Sequence, residues 1–167
     1  MTEKLSDPRE LFLHELGDVL YAEKQLTKIL PKLSKESTDD ELQQGFDHHL
    51  DETQRHVDNI EAVFNELGEK PKAERCPGIE GLKQEHDEFM KEENPSPEIC
   101  DMFNTGAASR TEHYEIAAYT GLVTTARALG ETKAADLLER NLRDEERMLD
   151  RVEKIAERLA RSQPVGA

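Results

Sequence analysis

Tryptophan is absent from this chain, and only three tyrosines and five phenylalanines stand in its 167 residues. Sheets draw on aromatic and β-branched residues, so this shortage argues against one. Glycine (9) and proline (7) are also sparse, which leaves few turns and therefore few, long elements. Two cysteines, Cys76 and Cys100, cannot build a disulfide framework. They are expected to be free thiols, with a Cys76–Cys100 bridge as the lesser alternative. A rubredoxin-type cluster of four thiolates is excluded, and with it a built-in electron donor of that kind. No apolar run approaches the ~18 residues of a membrane span. The first residues are polar and acidic, without the apolar stretch of a secretion signal, so the expected location is the cytoplasm. Positive charge is scarce as well: 22 Lys and Arg face 37 Asp and Glu, a net −15. Binding to nucleic acid needs cationic surface that displaces counterions, so it is not expected.

Charge is what the chain has in plenty. Charged residues are 35% of the total and mean hydropathy is −0.80, values a disordered chain also shows. Periodicity decides between the two, because disordered segments lack it. From Phe12, at alternating steps of four and three, a seam runs Phe12, Leu16, Val19, Glu23, Leu26, Leu30, Leu33. A second runs Leu42, Phe46, His49, Thr53, His56, Ile60, Val63, Leu67. A third reads Thr105, Ala108, Glu112, Glu115, Tyr119, Leu122, Ala126, Leu129, and a fourth Leu138, Leu142, Glu145, Leu149, Val152, Ala156, Leu159. These are four long amphipathic helices.

Local signals delimit them. Asp7-Pro8-Arg9-Glu10 and Thr38-Asp39-Asp40-Glu41 read as capped helix starts, Gly68 as a stop. Pro31 is expected to kink or end the straight part of the first helix. Helices over about 8–36, 39–67, 97–129 and 132–160 follow. Residues 68–96 form a crossover with a short helix between Ile79 and Met90. A connection of that length runs the height of a bundle, so the helices on either side of it lie parallel. The expectation is one all-α domain over 1–167, a four-helix bundle with one long crossover, as in ferritin-like folds. Small residues from Gly106 to Gly121 are expected to let helices approach closely, and the tail after Arg161 to fray.

Glutamates occupy core slots of these seams. Glu23 and Glu145 each interrupt an apolar stripe, Glu112 and Glu115 enter the third a turn apart, and Glu52 lies at the same depth. Glu52 and His56 are four apart, one turn and about 40° in azimuth, so both can face one ion. Taken singly, Glu23 or Glu145 fits equally well as a seam-flanking side chain reaching for water. Together the set needs a cation, because buried carboxylates are costly unless paired or ligating. The candidate metal ligands are Glu23, Glu52, His56, Glu112, Glu115 and Glu145, with His49 in a supporting position behind them. Oxygen-rich donors with imidazole suit iron first and manganese second. Tyr119, one turn past Glu115, is the candidate hydrogen-bond donor or electron relay. His14, His48, His86 and His113 have no such company.

The stretches Tyr21-Ala22-Glu23-Lys24-Gln25-Leu26, His49-Leu50-Asp51-Glu52-Thr53, Glu112-His113-Tyr114-Glu115-Ile116-Ala117 and Leu142-Arg143-Asp144-Glu145-Glu146 resemble the YciF-like family of the ferritin-like superfamily, formerly catalogued as DUF892. The resemblance spans about residues 5–160. It implies a four-helix bundle with a dinuclear metal centre, a homodimer, and a stress-associated bacterial protein. Two iron ions that react with oxygen or peroxide are the expected cofactor and chemistry. Ferritin-like proteins commonly carry Glu-x-x-His on two helices. Here Arg55 stands third after Glu52, with His56 fourth, and Met148 and Leu149 follow Glu145. The alternative reading is a non-catalytic metal-binding or partner-binding helical protein whose metal is structural or absent.

Overall fold

The computed structural model describes residues 4–162 and contains five helices: α1 (Pro8–Glu36), α2 (Asp40–Glu66), α3 (Pro77–Glu93), α4 (Pro97–Ala128) and α5 (Thr132–Ser162). α1 and α2 form one antiparallel hairpin, α4 and α5 the other. α2 packs on α5 and α1 on α4, which closes a four-helix bundle. The segment 67–96 crosses the full height, so α4 starts beside the start of α2 and the two run parallel. α3 lies within this crossover, against α1 and α4. The gap in hydrophobicity noted in each seam is real in space. One apolar cluster contains Phe12, Leu16, Ile60, Val63, Leu122 and Leu138. Another contains Leu26, Leu30, Leu42, Phe46, Val152 and Ile155. The buried polar side chains lie between them.

Capping is more specific than the sequence motifs indicate. Asp7 accepts from Arg9 N (2.9 Å) at the head of α1. For α2 the cap is Asp39, accepting from Leu42 N (3.0 Å), and not Thr38. Thr38 is held instead by Asp101 of α4, a buried carboxylate. Its oxygens accept from Thr38 N (2.8 Å), Thr38 Oγ1 (2.7 Å) and Asp39 N (3.0 Å). These charge-assisted bonds tie the α1–α2 turn to the second hairpin. Asp101→Ala removes all three and leaves the donors of the half-buried turn to water. It is expected to lower stability by about 3 kcal/mol, read by denaturant unfolding.

Two other expectations are corrected, on α5 and on α4. α1 runs through Pro31 to Glu36. Pro31 is on the exposed side, where water serves the carbonyl that the ring leaves without a donor. On α5 the buried line passes through Asn141, Met148 and Ile155, while Leu142, Leu149 and Ala156 are half-buried. Of the small residues on α4, Ala108 is buried but Ala117 and Gly121 face solvent. Close approach is enforced elsewhere, at Gly17. A Cβ there would lie 2.7 Å from the Lys72 carbonyl oxygen and 2.8 Å from Glu74 Cγ. Glu74 N also donates to the Gly17 carbonyl (2.9 Å). Gly68 takes φ +73°, the left-handed stop that its place after α2 implies. Cys76 and Cys100 are free and buried. Among the described residues no helix is long and apolar enough to cross a membrane. The tail 163–167, for which fraying is expected, lies outside the described residues.

Candidate metal centre

The middle layer of the bundle brings together Glu23 of α1, His49 and His56 of α2, Glu112 and Glu115 of α4 and Glu145 of α5. All are at most 3% exposed. Their donor atoms form two groups, His49–Glu112–Glu115–Glu145 and Glu23–His56–Glu145, each with all atoms within 4.8 Å of one another. Glu145 belongs to both. Its Oε1 lies 2.9 Å from His56 Nδ1, and its Oε2 lies 3.2 Å from His49 Nε2. One carboxylate therefore faces two subsites.

Two of the sequence-derived candidates exchange places. His49 faces inward, with Nε2 also 3.5 Å from Glu112 Oε1. Glu52 is turned outward behind the ring, where its Oε2 meets His49 Nδ1 at 3.1 Å. Its Oε1 points to the surface beside His48 (3.3 Å), Arg55 and Arg147. Asp144, which the sequence reading left unassigned, holds the same relation to the other imidazole: its Oδ2 is 3.2 Å from His56 Nε2. Each ring thus presents one nitrogen to the interior and has the other held by a carboxylate, the arrangement that fixes ring orientation and raises basicity. Both nitrogen donors come from α2. They are seven residues apart, and their ring centroids are 6.2 Å apart. The histidine that α5 lacks is replaced by a second one, two turns along the same helix.

Tyr119 donates its hydroxyl proton to Glu23 Oε1. Asn141 Nδ2 donates to the same hydroxyl (3.0 Å) and to the His56 carbonyl (3.3 Å), and Asn59 donates to Asn141 Oδ1 (2.7 Å). This chain of amides explains why a polar residue occupies the α5 core line. It also anchors one oxygen of Glu23 and leaves the other free.

Several inward atoms have no hydrogen-bond partner: Glu23 Oε2, Glu112 Oε2 and both oxygens of Glu115. Such groups are rare in native interiors, and each orphan costs on the order of 1–3 kcal/mol or more. Electrostatics reflects the same strain. Burial, with the neighbouring negative charges, pushes the Glu112 and Glu115 carboxyls well above their ordinary range, and Glu23 upward too. Burial works against charge on the histidines as well. Yet Glu112 and Glu145 hold His49 well above its usual value, and Glu23 and Glu145 raise His56 to about 10. Burial also works on Glu145, but the two imidazoles overcome it and keep that carboxyl ionised. Without a cation the centre retains protons and imidazolium charge in its stead. Four buried carboxylates, Glu23, Glu112, Glu115 and Glu145, carry −4 when ionised, which two divalent ions neutralise. The donors are oxygen and imidazole nitrogen without thiolate, so the residues fit iron or manganese.

The sequence profile of a family described as a domain of unknown function, DUF892, matches residues 7–164. Protein YciF of Escherichia coli (strain K12) is 40% identical over 137 residues, 81% of this chain and 82% of that protein. The crystal structure of the E. coli stress protein YciF superposes with a TM-score of 0.90 at 34% identity, covering 95% of this chain and all (100%) of that one. YcfI of Rhodopseudomonas palustris gives 0.88 at 36% identity over 92% and 97% of the two chains. A two-domain protein of Anabaena variabilis containing dj-1/thij/pfpi-like and ferritin-like domains gives 0.65 at 15% identity, over 97% of this chain and 40% of its own, a likeness of fold alone.

Proposed function

The chain belongs to the DUF892 family, and from that premise we propose that it is a ferritin-like stress protein holding two divalent ions, iron before manganese, that reacts with dioxygen or peroxide. The carrying observation is Glu145, whose two oxygens face the imidazoles of two separate donor groups. A single ion would leave about two of the four carboxylate charges to be met by retained protons or imidazolium. When bound as ferrous iron, the pair would supply electrons to dioxygen or peroxide.

The residues have distinct tasks in this reading. Glu145 would be shared by the two subsites, with Glu23 and His56 completing one and His49, Glu112 and Glu115 the other. Glu115, both of whose oxygens lack protein partners, is the ligand freest to change its mode of attachment. Tyr119 holds a proton at its hydroxyl against Glu23. The two apolar clusters above and below keep bulk water away. Asp144 and Glu52 hold the imidazoles from outside, so Asp144→Asn and Glu52→Ala are each expected to weaken metal affinity about 10–100-fold. Stoichiometry at saturating metal should stay unchanged, as titration with Mn(II) would show.

Protein purified without chelator, or loaded with ferrous iron under anaerobic conditions, tests the proposal. About two ions per chain, two anomalous-scattering peaks on either side of Glu145, and oxidation on adding peroxide are the expected results. Binding without oxidation would make the ions structural. Absence of metal from the bundle interior would end the proposal.

A further inference from the structure

The two donor groups are framed unequally. Glu23 and His56, which share one group with Glu145, are both tied to Asn141 of α5. Asn141 Nδ2 donates to the His56 carbonyl (3.3 Å) and to the Tyr119 hydroxyl (3.0 Å), and that hydroxyl donates to Glu23 Oε1. Asn59 steadies the amide from the other side, donating to Asn141 Oδ1 (2.7 Å). The carboxylates private to the other group have no such frame: Glu112 Oε2 and both oxygens of Glu115 are buried without a partner. We infer that Asn141 is a positioning residue for the Glu23–His56 subsite alone, which leaves small polar solutes to attach at the His49–Glu112–Glu115 subsite. The inference rests on the two-ion reading above, not on the reaction with dioxygen or peroxide.

Chemistry fixes the direction of this chain. A backbone carbonyl only accepts, so the amide nitrogen of Asn141 must face His56, and the same nitrogen reaches Tyr119. That nitrogen can only donate to the phenol oxygen, so the phenol proton is left for Glu23. Glu23 Oε1 also lies 3.2 Å from His56 Nδ1. One oxygen of this carboxylate is thus engaged twice, and Oε2 alone is without a partner. Both ligands are oriented before any ion arrives, which lowers the ordering cost of binding it. Asn141, Tyr119, Glu23 and His56 are all 0% exposed. Packing alone would be served by leucine, as at Leu138 on the same buried line; the amide at 141 adds the bonds.

The second subsite is free in the respects in which the first is bound. No hydrogen bond fixes either oxygen of Glu115, so this side chain can attach through one oxygen or two and make room for an incoming group. Solvent also has a way in. A narrow cleft of about 40 Å³ beneath α3 has exposed Lys83 and half-buried Thr111 in its lining, together with buried His49 and Glu112. A water occupies about 10–15 Å³ of such space, so the cleft takes a solute of a few heavy atoms. Its polar lining suits a hydrogen-bonding solute such as peroxide.

Cobalt(II) and azide test this without a redox step. Cobalt takes the same oxygen and nitrogen donors, and its visible spectrum reports the arrival of a ligand. The parent should take up two ions, and crystals soaked in azide should show it on the ion beside His49 and Glu112, on the α3 side. Asn141→Leu should weaken one ion about 10–100-fold, the one beside Glu23 and His56, as loss of an outer partner does. The other ion and its azide-induced spectral change should stay as in the parent, a selectivity that a general loss of stability would not produce. Tyr119→Phe, which keeps the ring and removes only the hydroxyl, should weaken the same ion by less. It carries the test should Asn141→Leu fail to fold. Equal weakening of both ions in these variants, or azide on the ion beside Glu23, overturns the inference. Selective weakening with azide in the stated place, in a protein whose ferrous form peroxide does not oxidise, upholds the inference and defeats only the proposed reaction. A parent that takes up no metal defeats both.

Discussion

Glu145→Gln is expected to release both ions, whereas Glu115→Gln releases one. Glutamine at 145 keeps the volume and the packing of the α5 core line but loses the charge that both groups share. Its oxygen and nitrogen cannot serve as two equivalent anionic donors, so the Glu23–His56 pair and the His49–Glu112–Glu115 group each lose a ligand. Glu115 is a member of one group only. Its replacement leaves Glu23, His56 and Glu145 intact. Loss of a ligand should exceed the about 10–100-fold effect of an outer partner. Metal content per chain after desalting separates the cases: near zero for Glu145→Gln, about one for Glu115→Gln, about two for the parent. Circular dichroism should show the helices intact in all three, since two apolar clusters hold the bundle on either side of the layer. Two ions retained by Glu145→Gln would dismiss the shared carboxylate.

Metal removal should make stability depend on pH with a definite sign. His56 is raised from its ordinary 6.5 to about 10 in the metal-free fold, and His49 is raised too. A raised histidine contributes stability that is complete below the unfolded value and is lost as pH climbs through the folded one. Glu112, Glu115 and Glu23 act in the same sense: they favour the fold while protonated and penalise it once ionisation sets in. Glu145 and Glu52 are lowered and act in the opposite sense, but their contribution is lost only as pH falls below the ordinary carboxylate range. From pH 6.5 to 10 the metal-free protein should therefore weaken steadily. The loaded protein should move the other way, because each ion displaces protons from its ligands and binds more tightly as pH rises. With free metal at about a thousand times the dissociation constant, each site adds about 4 kcal/mol, about 8 for two. At about 2–4 °C per kcal/mol for a chain of this size, the melting temperature rises by about 15–30 °C. Melting curves at pH 6.5 and 9, with and without Mn(II), would show the gap widening. A gap that narrows would contradict the ionisation states described for the centre.

The fold was largely legible because three of the four seams match the buried lines closely: every apolar residue from Phe12 to Leu33 in the first is inside. The α5 line was misphased at every second position for one reason. Asn141 is polar and its neighbour Leu142 is not, so hydrophobicity favoured the wrong member of the pair. Partners on other helices, the Tyr119 hydroxyl, the His56 carbonyl and the Asn59 amide, give Asn141 its reason to be buried. The same limit explains His49 and Glu52. His49 stood in the α2 seam, seven residues from His56, and that heptad spacing was the available sign that it faces inward. Glu52 lay one position off the seam. Preferring the carboxylate followed the chemistry of the other glutamates over the geometry of the helix. Asp144 had no signal of its own, since only the ring of His56 in space distinguishes it from other surface acids. Asp101 likewise resembles any helical aspartate until the α1–α2 turn is laid against it.

Gly17 has a consequence for how this architecture tolerates changes in chain length. Because the backbone at Lys72 and Glu74 rests directly on α1, the strap is indexed to the bundle there, three residues before α3 begins. Extra residues inserted earlier, around 69–71, would bulge into solvent and leave that index unchanged. One extra residue between Glu74 and Pro77 would instead have only Arg75 and Cys76 to absorb it, and would press on the start of α3, where Ile79 is buried and Glu80 meets Tyr21. Drift in loop length is thus absorbed on one side of a single contact and felt by α3 on the other.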